Sequence, residues 1–240
     1  MGSRRLALGF TLAFVESWLR GRRRLLEVGA GDGELARALL DRGHEVTALD
    51  LDEEAVAAAR ERGVDARVAR FPDCSGGPFD GVLFTRSLHH VQPLGDAIRR
   101  AAELLAPAGR LVIEDWAWNR VDAATAGWMY RLVRDWQERG LAPREEFPRR
   151  GSPLASWRRE HERDCHLHPD HAMREAVAAV LTPTHEERVP YFFRYPCRWL
   201  ANRPRGEEAA AAVLELERAG IERRAIVPIG WRLVAERASG

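Results

Sequence analysis

Leu25-Leu26-Glu27-Val28-Gly29-Ala30-Gly31-Asp32-Gly33-Glu34-Leu35-Ala36-Arg37-Ala38-Leu39-Leu40 reads as a buried strand, a glycine turn and a helix. Leu25, Leu26 and Val28 suit a central parallel strand covered on both faces. Gly29, Gly31 and Gly33 let the chain turn sharply and let its backbone come close to a ligand. Leu35, Ala36, Leu39 and Leu40 recur at helical spacing. A helix that starts at the carboxyl end of a strand aims N–H groups and its positive dipole end at the crevice where open α/β sheets bind ligands.

The glycine spacing narrows the ligand. A dinucleotide fingerprint runs G-x-G-x-x-G, whereas here Glu34 holds the last position and the glycines run G-x-G-x-G. Glu27 stands two residues before the first glycine. A pyrophosphate would be repelled by that carboxylate, and a sulfonium carrying an ammonium group would be attracted. The pattern E-x-G-x-G-x-G strongly resembles motif I of the class I S-adenosylmethionine (SAM) methyltransferases. The resemblance implies a Rossmann-like α/β fold. It would have a seven-stranded sheet of order 3-2-1-4-5-7-6, strand 7 antiparallel, and helices on both faces. It also implies SAM as cofactor, S-adenosylhomocysteine (SAH) as product, and Glu27, Gly29, Ala30, Gly31 and Gly33 around the cofactor.

The following segments extend the resemblance. A second strand, Glu45–Leu49, ends in Asp50-Leu51-Asp52. An acid there, about 20 residues past the glycine turn, is placed to accept hydrogen bonds from ribose hydroxyls. Asp50 takes that role, Leu51 packs adenine, and Asp52 caps the next helix. The family commonly has an acidic residue after the third strand, here Ala66–Ala69, but this chain continues Arg70-Phe71-Pro72-Asp73. Phe71 stacking on adenine beside Arg70, and an ordinary loop, are both open readings. Phe79-Asp80-Gly81-Val82 in the fourth strand resembles the family's F-D-x-V. Thr85 and Ser87 then face the methionine half, where the family works mostly through backbone carbonyls. The run Leu88-His89-His90-Val91 is frequent among small-molecule methyltransferases of the ubiquinone and menaquinone type. His89 and His90 are candidate bases, or else they cap and pack the helix Leu94–Ala106. Pro107-Ala108-Gly109 and a fifth strand, Arg110–Asp115, complete the pattern.

Residues 116–205 form an expected helical insertion that serves as lid and substrate pocket, and residues 1–115 and 206–240 form the cofactor-binding core. Trp116, Trp118, Trp128, Trp157 and Tyr191 offer flat apolar walls with polar handles for an acceptor, or they form a core of the insertion itself. Helices are expected at 122–139 and 154–163, and a third after Asp170 as N-cap. His161 is a candidate general base, since neutral imidazole accepts a proton near pH 7. His161, Cys165 and His168 could share a helical face, but their spacing matches no metal site, and no metal is expected. Beyond a helix at Glu207–Ala219, the segments Ile221–Val227 and Trp231–Glu236 read as a terminal hairpin.

At 240 residues the chain suits one α/β domain with an insertion. Its net charge of +1 gives no bulk electrostatic case for nucleic acid or an anionic membrane. There is no lysine, which excludes a Walker A lysine and a lysine Schiff base. An amphipathic helix at 4–20 is expected to cover the sheet rather than act as a leader. Cys74, Cys165 and Cys197 are scattered, which fits a reducing cytoplasm, and the arginine and alanine bias suits a GC-rich, bacterial genome. The expected activity is SAM-dependent methylation of a small molecule, at oxygen or nitrogen, natural products included. A SAM-binding protein of the same fold with a non-methylating reaction, or with binding alone, is the alternative. Glu27 and the glycine spacing count against a NAD-binding domain.

Overall fold

The computed structural model describes residues 3–145, 147, 151–162, 167–201 and 203–237. In chain order its elements are α1 (Ser3–Leu19), β1 (Arg24–Val28), α2 (Glu34–Leu40), β2 (Glu45–Asp50), α3 (Glu53–Glu61), β3 (Asp65–Val68) and β4 (Phe79–Thr85). There follow α4 (Leu94–Leu104), β5 (Leu105–Trp116), α5 (Ala123–Glu138), α6 (Pro153–Glu162), α7 (Asp170–Ala178), β6 (Thr182–Val189), α8 (Arg194–Trp199), α9 (Gly206–Glu222) and β7 (Gly230–Glu236). The chain divides into two compact units.

The first unit takes in Phe10–Asp115, His168–Glu187 and Trp231–Gly240. Its mixed sheet has the order β3-β2-β1-β4-β5-β7-β6. Strands β1 to β5 pair in parallel, with Glu27 of β1 between Ala48 of β2 and Leu83 of β4. Leu26, Val28, Val82, Phe84, Leu111 and Ile113 make the buried strand core, against Ile98 and Ala101 of α4 and Met173 and Val177 of α7. Each of these side chains larger than alanine contributes about 1.5–3 kcal/mol on burial. Gly33 has φ +74, and a Cβ there would come within 2.7 Å of Ala59, so only glycine lets α3 pack this close to the turn. The Arg232 guanidinium is also buried. It donates to Glu114 Oε2 at 2.7 Å and to the Phe10 carbonyl at 2.9 Å, while the Thr11 hydroxyl donates to Glu114 Oε1 at 2.6 Å.

The second unit takes in Met1–Gly9, Trp116–Leu167 and Arg188–Gly230. Its core is aromatic: Trp116 stacks on Tyr191 and meets Trp157 edge-on, and Phe192 lies against Trp128 and Trp157. The fully buried Glu217 of α9 accepts three backbone N–H groups, from Tyr191, Phe192 and Phe193, at 2.6–3.1 Å. Burial nonetheless pushes its pKa up to about 7.

Three expectations about elements change. The sixth strand is Thr182–Val189, not Ile221–Val227, because α9 runs on to Glu222 and the chain then loops to β7. In place of the expected hairpin, a long helical connection joins β6 to β7. Asp170 lies inside the first turn of α7, and Pro169 is the N-cap, suited by its fixed φ to a helix start. Helix α4 stops at Leu104, since Pro107 follows and β5 begins at once.

Candidate functional site

A cavity of about 370 Å³ opens at the carboxyl ends of β1, β2 and β4 and at the loop after β3. Gly29 is the first residue after β1, with φ +72, and a Cβ there would collide with the Ser87 side chain. The N–H groups of Gly29 and Ala30 both donate to the Leu49 carbonyl, at 2.8 and 3.0 Å, which pins the glycine turn to β2. Asp50 closes the turn from the other side. Its Oδ2 accepts from Gly31 N at 2.7 Å and its Oδ1 from Asp52 N at 3.0 Å. A carboxylate has about four lone-pair sites, so each oxygen keeps capacity for a further donor. Leu51 sits on the cavity wall at 68% exposure, an apolar surface that a flat ligand would cover. Asp52 caps α3 through the N–H groups of Glu54 and Ala55.

Of the residues singled out in the sequence, Gly29, Asp50, Leu51, Arg70, Phe71, Ser87 and His90 line this cavity. Phe71 is buried edge-on against Phe84, and Arg70 is held by Asp73 and the Gln92 carbonyl. Ser87 donates its hydroxyl to the Val28 carbonyl at 2.5 Å, tying the ends of β1 and β4. Ala30, Gly31, Gly33 and Thr85 shape the turn and the strand end without forming the wall. Glu27 lies behind Val28, 1% exposed. One of its oxygens accepts the Thr85 hydroxyl at 3.2 Å, and the other is buried with no hydrogen-bond partner. Burial pushes its pKa up to about 7, against the Thr85 hydrogen bond and the nearby Arg86 charge.

The Leu88–His90 turn is clamped firmly. Asp115, fully buried at the end of β5, accepts from His89 Nδ1 at 2.6 Å and from His89 N at 3.2 Å. That contact puts the Nδ1 proton toward the carboxylate and makes Nε2 the basic nitrogen. His168 secures the same turn, donating its backbone N–H to the His89 carbonyl at 2.8 Å and Nε2–H to the Val91 carbonyl at 3.0 Å. Sequence reasoning missed Asp115, which reads as the polar end of a strand, and Arg86, one arginine among many.

The second unit holds the other candidates. His161 is 8% exposed, donates Nδ1–H to the Trp157 carbonyl at 2.8 Å, and lies against the rings of Trp157, Trp116 and Trp118. Trp116 and Trp157 belong to the aromatic core, with Trp118, Trp128 and Tyr191 packed against it. Cys165 falls outside the described residues, and among the described residues no three His, Cys, Asp or Glu side chains are grouped to hold a metal. No helix among them is long and apolar enough to cross a membrane.

Residues 3–180 match the family described as a methyltransferase domain. The ubiquinone biosynthesis O-methyltransferase of Xanthomonas oryzae pv. oryzae is 38% identical over 112 residues, covering 43% of this chain and 46% of that protein. The chain thus spans about half the length of the curated relatives it matches. Geranyl diphosphate C-methyltransferase from Streptomyces coelicolor A3(2) shares the fold at a TM-score of 0.61 and 19% identity, over 96% of this chain and 77% of that one. The structure of the [4+2]-cyclase SpnF shares it at 0.58 and 19%, over 96% and 82%.

Proposed function

The chain belongs to the class I SAM-dependent methyltransferases, and from that premise we propose that it methylates a small molecule at oxygen or nitrogen. The observation that carries the proposal is the cavity between Gly29, Asp50 and Ser87, with the orphaned oxygen of Glu27 buried beside it. A buried carboxylate oxygen without a partner fits a cationic ligand, and the steric block at Gly29 fits a backbone that must lie open to it. SAM supplies, when bound, a methyl group activated on a sulfonium. Asp50 would hold the ribose hydroxyls with its remaining lone pairs, and Leu51 and Phe71 would flank the base.

The rest of the task is positioning and, for a hydroxyl acceptor, moving a proton. Alignment of the reacting atoms supplies most of what such a site can do, and a base adds typically 10²–10⁴-fold. His90 on the cavity wall, His89 held by Asp115, and His161 in the aromatic unit are the three proposed bases. Trp116, Trp118, Trp128, Trp157 and Tyr191, the flat apolar side chains of the aromatic unit, are proposed to govern the acceptor. Incubation with methyl-labelled SAM and a panel of phenols, amines and carboxylic acids tests the proposal. Label transferred to an acceptor supports it, and SAM binding without transfer to any acceptor favours the second reading. That reading is a non-methylating reaction on the same fold, which the likeness to a [4+2]-cyclase keeps in view.

A further inference from the structure

We propose that Arg86 is a cofactor-binding residue, its guanidinium taking the α-carboxylate of the amino-acid tail of SAM. The proposal rests on the SAM reading above. The tail is a zwitterion, and a site that selects it needs an acid and a base near each other. Glu27 on β1 and Arg86, the first residue past the end of the neighbouring β4, are such a pair, near enough for the Arg86 charge to act on the Glu27 carboxyl.

Three observations set Arg86 apart. It lines the cavity. It has φ +60, in the left-handed region that few non-glycine residues adopt, and such strain gathers at functional sites. Its side chain is also lightly held. One guanidinium nitrogen donates to the Thr11 hydroxyl at 3.3 Å and lies 3.8 Å from Glu114 Oε1. That carboxylate is already satisfied by Thr11 and Arg232, at 2.6 and 2.7 Å. A guanidinium has five N–H donors, so most of those on Arg86 remain for a ligand, and the side chain is 41% exposed. Arg70, the other arginine of the cavity, is bound to Asp73 and the Gln92 carbonyl and follows β3. It stands beside the adenosine half.

A carboxylate on the acceptor would present the same chemistry, so the test separates the two sources. SAH carries the tail, and 5′-methylthioadenosine lacks both its amino and carboxylate groups. Calorimetry would measure both ligands against the wild type, Arg86→Gln and Arg86→Gly. Glycine relieves the left-handed backbone, so Arg86→Gly should fold at least as well as the wild type, as thermal melting would show. The expected result is SAH binding weakened about 10- to 100-fold in both variants, the size of a hydrogen bond to a charged group, with methylthioadenosine binding unchanged. Unchanged SAH affinity would overturn the proposal and leave the arginine to an acceptor acid. Equal losses for both ligands would also overturn it, by making Arg86 a structural residue. A wild type that binds neither ligand would instead remove the SAM reading itself.

Discussion

Replacing Glu27 by Gln should stabilise the ligand-free protein at pH 8.5 and change little at pH 4.5. In the folded chain the carboxyl is wholly buried, with one oxygen on Thr85 and the other without a partner, and its pKa is pushed from 4.5 to about 7. Unfolding returns the group to water and to its ordinary value. Below pH 4.5 both states hold the proton, so Glu27 costs nothing there. Between 4.5 and about 7 the folded state binds more protons than the unfolded one, and stability falls as pH rises. Above about 7 the loss is complete, and the gap between the two pKa values is worth about 3 kcal/mol. A glutamine has nearly the same shape and never ionises. The difference between variant and wild type should therefore grow from near zero at pH 4.5 to about 3 kcal/mol at pH 8.5. Urea unfolding of both proteins at several pH values reads it directly. Glu217 has its pKa raised in the same direction, but it is present in both proteins and cancels in the difference. A gain that is the same at every pH would refute the reasoning, because it would show that the glutamine improves packing rather than removing a buried charge. The same variant should bind SAM more weakly, since the buried negative charge next to the cavity-lining Val28 is gone.

Asp50→Asn should weaken SAM binding about 10- to 100-fold in equilibrium dialysis with far-ultraviolet circular dichroism unchanged, and wild-type affinity would move the ribose contact elsewhere. His161→Ala should leave SAM affinity at the wild-type value while turnover of a hydroxyl acceptor falls about 10²-fold or more; turnover at the wild-type rate would assign the ring to packing. Glu217→Ala strands three backbone N–H groups and should destabilise the protein by at least about 3 kcal/mol, read as a lower melting temperature, and an unchanged melting temperature would contradict that account.

The elements around the cavity at the ends of β1, β2 and β4 were legible because their signals are local. The apolar run Leu25–Val28, the glycines after it and the acid at Asp50 each reflect a constraint that acts within a few residues. Strand β6 was not legible for the opposite reason. Its sequence, Thr-Pro-Thr-His-Glu-Glu-Arg-Val, has almost no apolar residue, and it pairs only on one side at the end of the sheet. The β-branched residues of Ile221–Val227 suggested a strand, yet Ile221 finishes α9 and Ile226 packs in the loop against Gly220. Asp115 and Arg86 matter through partners distant in the chain or through backbone conformation, and neither leaves a mark on the residue pattern. The sequence showed that the tryptophans were concentrated after β5, and only the structure showed how far they pack on one another.

The two end strands of the sheet bear on how the molecule behaves when crowded. Strand β3 is four residues long and carries the Asp65–Arg67 ion pair, and β6 carries Pro183, which lacks an N–H, followed by His185, Glu186, Glu187 and Arg188. A second chain adding itself to either margin would meet a very short ladder or would have to desolvate a row of charges beside a missing donor. Edge-to-edge growth into fibrils is thereby discouraged at both ends, and concentrated stocks should resist it without help from a bound ligand.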